Sequence, residues 1–199
     1  MNETLQLIHN RRSIRKFRPD PIEEEKLDAV VQAGRYAPSG GNHQNSHFIV
    51  VTNREIHREL IALVEQEFAK MQVDENAYRN LKVSVSLARK GGYDFMFSAP
   101  VLIVVANRRD YANCMADSAC ALENMMIAAA SLGLGACWVN QLHWLTDNPV
   151  IRRKLEECSL GGDEVVCGSL ALGYPDYERI TERELTPRER IGNRVDYVK

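Results

Sequence analysis

Apolar residues recur along the chain in two periods, and the two periods predict different elements. Leu27, Val30, Val31 and Gly34 fall at i, i+3, i+4 and i+7, which predicts an amphipathic helix within Ile22 to Tyr36. Ile56, Leu60, Leu63, Val64 and Phe68 repeat that spacing behind Asn53, a good helix cap, and predict a helix to about Met71. Shorter or weaker helical patterns cover Glu3 to Asn10, Asn76 to Lys90, and the stretch from Asp147 and Pro149 through Glu157. Four runs are instead continuously apolar and short: Phe48 to Val51, Pro100 to Val105, Ala136 to Asn140, and Val165 to Leu172. These read as buried strands. From Asp117 to Leu132 the chain is apolar on nearly every side except at Glu123, which marks a central helix packed against several neighbours or a second subunit.

Four strands among more helix than strand give an α+β layered domain. The 199 residues suffice for one domain with a substantial core, and no repeat or linker divides positions 1–199. A formal net charge of -2 offers no basic field for nucleic acid or an anionic membrane. No apolar run approaches the length of a membrane span, and Met1 to Asp20 lacks the apolar core of a secretory signal. The five cysteines are odd in number and form no C-x-x-C pair, so free thiols in the cytoplasm are expected.

Two segments carry candidate chemistry. Arg11, Arg12, Ser13 and Arg15 lie between a helix and the break at Pro19-Asp20-Pro21. Guanidinium groups so placed suit a phosphate through bidentate, charge-assisted hydrogen bonds. Ala37-Pro38-Ser39-Gly40-Gly41-Asn42-His43-Gln44 then closes a helix just before a strand. Its small residues let a planar ligand approach the backbone, and its amides offer donors and acceptors. His43 and His47 have a zinc-like spacing but no third ligand, and Gly133-Leu134-Gly135 is no dinucleotide fingerprint. Cys137 reads as an inert buried thiol, and Trp138 and Trp144 as core or pocket walls.

In order along the chain, R-R-S-I-R-K-F, P-x-P, A-P-S-G-G-N-x-Q, Ser98-Ala99-Pro100, A-L-E-N-M-M, L-G-L-G and L-G-Y-P resemble the nitroreductase family of flavoproteins. The resemblance implies a central, mostly antiparallel sheet flanked by helices, in an intertwined homodimer with two FMN molecules in its interface. It implies that Arg11, Arg12, Ser13 and Arg15 serve the phosphate and ring of one FMN, and that Pro38, Ser39, Gly40 and Asn42 reach the same FMN from the partner. Asn140 and Gln141 match the strand end whose backbone borders the flavin N5 edge, and Arg188 and Arg190 the basic pair that completes the phosphate site. Arg15 near the N1–C2=O edge would stabilise negative charge left by two-electron reduction.

The implied activity is hydride transfer from NADH or NADPH, through FMN, to small electron-poor acceptors such as nitroaromatics and quinones, with ping-pong kinetics. Two other readings stay open: a specialised member that dehalogenates or consumes its flavin, and a non-catalytic flavin carrier. The stretch from Arg54 to Tyr93 is expected to form a lid over the substrate.

Overall fold

The computed structural model describes residues 1–187 and 189–199. Its sheet has the order β1-β2-β4-β3, with β1 at His47–Val51, β2 at Val101–Arg108, β3 at Gly135–Val139 and β4 at Glu164–Gly173. All three pairings are antiparallel, as in Val50 opposite Ile103 and Cys137 opposite Ala171. The four apolar runs are therefore the four strands. β2 and β4 are almost wholly buried because helices cover both faces of the sheet.

Alternation along β2 sends side chains to two cores. Leu102, Val104 and Ala106 face α3 (Arg54–Lys70), α4 (Arg79–Lys90), α6 (Gln141–Trp144) and α7 (Pro149–Glu157). Val101, Ile103 and Val105 face α2 (Glu24–Arg35) and α5 (Cys114–Ser131). α2 meets α5 closely because Gly34 has no side chain; a Cβ there would lie 2.9 Å from Met125 Cγ.

Helix boundaries follow their caps. Asn53 accepts from the Glu55 and Ile56 amides and starts α3, as expected. The cap of α7 is Asn148, one residue beyond the expected Asp147, with Pro149 in the first turn. α4 begins at Arg79 rather than Asn76, because Asp74 holds the preceding turn through the Asn76 amide. α5 begins at Cys114, one turn before Asp117. A short α8, Glu182–Leu185, lies in the polar tail, where Thr181 and Glu184 form a capping box.

The N-terminal segment positions the site. After α1 (Glu3–Asn10), Ser13 bridges Ala136 in parallel and Phe17 bridges Pro175 in antiparallel fashion. Ser13 and Ile14 thus meet β3 at Ala136 while residues 16–18 pair with 174–176 just beyond β4, and Ile14 and Phe17 are buried. No helix among the described residues is long and apolar enough to cross a membrane.

Candidate functional site

Ser13 is bridged to Ala136 and the Ile14 amide donates to the Ala136 carbonyl, so Arg15 follows directly on the contact with β3. It opens with Trp138, Asn140 and Gln141 onto a cavity of about 300 Å³. The guanidinium also lies over the Phe97 ring, 5.9 Å from its centroid. Phe97 and Ser98 both take left-handed backbone conformations, which non-glycine residues adopt uncommonly. Asp94 supports them by accepting from the Met96 and Ser98 amides and from Ser98 Oγ.

β3 ends at Val139; Asn140 is the cap position of α6 and Gln141 its first residue. The Asn140 side chain is occupied, since Oδ1 accepts from Trp138 Nε1 at 2.6 Å. The Gln141 side chain turns inward, where Nε2 donates to Tyr93 Oη at 2.7 Å. Tyr93 in turn donates to Ser84 Oγ at 2.9 Å. Burial pushes the Tyr93 hydroxyl above its ordinary pKa, so it stays protonated. Trp138 and Trp144 both stand in the wall of this cavity. Burial also raises the Cys137 thiol, against the lowering influence of Arg15 and Arg11, which keeps it inert as expected.

Arg11 and Arg12 do not share that cavity. They face another, of about 310 Å³, with Asn10, Gly133 and Pro175. Arg11 Nε and Arg12 Nε and Nη2 are buried without hydrogen-bond partners among the described residues. The Glu123 carboxylate lies 3.6 Å from Arg11 Nε, an ion-pair distance too long for a hydrogen bond. Burial first, then the charges of Arg190 and Arg11, lower the Arg12 pKa. Three cations thus influence one another around buried donors, and an anion bearing several acceptor oxygens satisfies that arrangement. A terminal phosphate fits it. Ser13 is exposed, and Arg188 lies outside the described residues.

The second motif forms a separate region. Pro38 and Ser39 line a cavity of about 260 Å³ with Gln44, Phe48 and Asp117. Gly40–Asn42 is a 3₁₀ turn, and Gly41, Asn42 and Gln44 have positive φ. Ser39 Oγ closes it by accepting from the Gln44 amide, and Asn42 is left exposed. The nearly buried Asp117 carboxylate accepts the Gly40 amide, 3.2 Å from each oxygen, and the Tyr111 hydroxyl at 2.9 Å. A Cβ at Gly40 would meet the ends of the Asn113 and Tyr111 side chains, which would have to shift to admit it. Asp117 and Tyr111 therefore shape this loop, a role no local pattern announces.

The expected lid is corrected. Leu60, Val64 and Phe68 of α3 are fully buried, so α3 is core rather than cover. Only the chain from Tyr78 to Leu87, with Tyr93, borders the Arg15 cavity. The pattern missed this because α3 and α4 both present one apolar face and differ only in what covers it.

A mixed fold whose sheet edge carries a basic segment beside an aromatic-walled cavity matches known proteins throughout. The chain belongs to the nitroreductase family, whose family model matches residues 8–174. It is similar to a nitroreductase from Bacteroides fragilis solved with bound FMN, at 32% identity and a TM-score of 0.87 over 100% of both chains. It is 29% identical to a nitrobenzene nitroreductase of Ectopseudomonas oleovorans, covering 85% of this chain and 86% of that protein. To an FMN reductase (NADPH) of Bacillus subtilis it is also 29% identical, over 88% of this chain and 67% of that protein.

Proposed function

We propose that residues 1–199 form one FMN-binding domain of a homodimeric oxidoreductase. It takes hydride from NADH or NADPH and reduces small electron-poor acceptors, nitroaromatics and quinones among them. The observation that carries this reading is the set of buried, partnerless guanidinium donors on Arg11 and Arg12, with Arg190 nearby. Family membership and relatives bearing nitroreductase and FMN reductase names support it.

Arg11, Arg12 and Arg190, with Arg188 from the tail, would hold the phosphate. Arg15 sets a positive charge at the β3 cavity and would favour negative charge on the ring. The first residues of a helix leave their N–H groups without intrahelical partners, so the Gln141 amide is available to a ring nitrogen. Bound FMN supplies the redox chemistry itself, exchanging two electrons and a proton between nicotinamide and acceptor. Tyr78, Phe97 and Trp144 give the cavity apolar walls that receive flat rings and exclude water. Donor and acceptor use that one opening in turn, which gives ping-pong kinetics.

Among the described residues of one chain, Pro38 and Ser39 line one cavity, Asn42 a second and Arg15 a third. A second copy would bring them to the same cofactor. Leu5, Ile8, Met115, Ile191 and Tyr197 are large apolar side chains exposed on the single chain, as a subunit interface requires.

A spectrum decides the central point. The purified protein should be yellow, bleach with NADH or NADPH in the absence of oxygen, and recover colour with a nitroaromatic or quinone. Colour that never bleaches would mean a flavin carrier, and a colourless protein that takes up no FMN would end the proposal.

A further inference from the structure

Three buried polar groups line the inner end of the Arg15 cavity, and cofactor binding as proposed uses none of their side chains. Gln141 is 8% exposed, Tyr93 9% and Ser84 5%. They come from three elements: α6, the loop before β2, and α4. Gln141 Nε2 donates to Tyr93 Oη, which donates to Ser84 Oγ, so the chain of bonds has one direction. Tyr93 is tied at its other end as well, since its amide donates to Glu65 Oε1 of α3 at 2.7 Å. Gln141 is thereby connected to both α3 and α4.

The arrangement carries a cost. Gln141 Oε1 is buried with no partner among the described residues. A buried, incompletely satisfied amide is less stable than an apolar side chain of similar size. The neighbouring groups show what the arrangement secures. The Asn140 side chain is tied to Trp138 and the Gln141 side chain to Tyr93, so both residues at the start of α6 border the cavity with their side chains anchored. A main-chain N–H is only as well aimed as the side chain that anchors its residue.

We infer that Tyr93 and Ser84 are positioning residues: through the Gln141 side chain they fix the backbone N–H of Gln141 against the bound flavin. They set how readily the cofactor is reduced, and not how tightly it is held. The inference rests on the FMN reading above.

The test uses FMN-loaded Tyr93→Phe, Ser84→Ala and Ser84→Thr. Tyr93→Phe and Ser84→Ala should keep their FMN affinity within about threefold of wild type. Their midpoint potentials should move by at least a threefold change in the oxidised-to-reduced equilibrium, about 15 mV for two electrons. Ser84→Thr, which keeps the hydroxyl, should return the wild-type potential. In FMN-free protein, the amides from Asn140 to Trp144 should exchange hydrogen faster in Tyr93→Phe than in wild type, while β2 is unchanged. Potentials and local exchange that stay at wild-type values while melting temperature falls would show a structural role only and overturn the inference. Wild-type protein that binds no FMN would overturn the functional reading instead.

Discussion

Ile14 occupies the space that a side chain at Gly135 would need: a Cβ built there would lie 2.8 Å from Ile14 Cγ2. The pairing of the basic segment with β3 depends on that close approach. Gly135→Ala should push Ile14 outward and cost about 1–3 kcal/mol through overpacking. The same displacement should carry Arg15 away from the β3 cavity, so FMN affinity should fall with stability. Denaturant midpoints and FMN titration measure the two effects, and a stable variant with unchanged FMN affinity would separate this contact from the site.

The phosphate assignment is testable by ligand choice. Arg12→Ala with Arg190→Ala removes charge-assisted bonds worth about 1.5–3 kcal/mol each. FMN affinity should fall at least tenfold, whereas riboflavin, which has no phosphate, should bind nearly as before. Equal losses for both ligands would place the phosphate elsewhere.

The proposed sharing of each site between two copies of the chain predicts complementation between subunits. Arg15→Ala and Asn42→Asp should each inactivate the protein alone. Hybrids of the two then carry one doubly damaged site and one intact site, recovering up to about half of wild-type activity per hybrid dimer. The interface should bury more than about 2,000 Å², as obligate dimers do. Hybrids seen by mass spectrometry that remain inactive, or an active monomer in light scattering, would refute sharing.

His57 predicts a dependence of stability on pH. Its ring is buried and donates from Nε2 to the Val51 carbonyl at 2.9 Å, and burial lowers its pKa below the ordinary 6.5. Between the folded and unfolded pKa values the unfolded chain binds the extra proton, so stability falls as pH falls. That contribution is complete above pH 6.5 and is lost progressively below it, towards the depressed folded value. His57→Gln, which keeps a donor for Val51, should flatten this part of the curve in urea unfolding followed between pH 7 and 5.

Much of the architecture was legible because buried elements write their periods into the chain. β2 and β4 could be read as unbroken apolar runs since helices cover both faces, and α3 was legible from Asn53 and its heptad-like spacing. α8 carries a readable capping box but no apolar run, so nothing local marked it as structured. The basic segment and the Pro38–Asn42 loop stood out by composition. Asp117 and Tyr93 did not: an acidic residue opening an apolar helix and a tyrosine after two glycines gain their meaning from partners far away in sequence, Gly40 and Gln141. Asn140 and Gln141 were visible only through resemblance, because their side chains bond to Trp138 and Tyr93, partners that no local pattern marks.

The bridges of Ser13 to Ala136 and Phe17 to Pro175 have a consequence for solubility as well as for cofactor binding. An unpaired strand edge is a template for pairing with another molecule. Ser13 and Ile14 cover such an edge of β3 at Ala136, and residues 16–18 pair with 174–176 beyond β4. Loosening this segment therefore uncovers a strand with the apolar residues of both cores behind it. Variants weakened here should aggregate during storage before they unfold globally, and a ligand that clasps the arginines should slow that aggregation by keeping the edge closed.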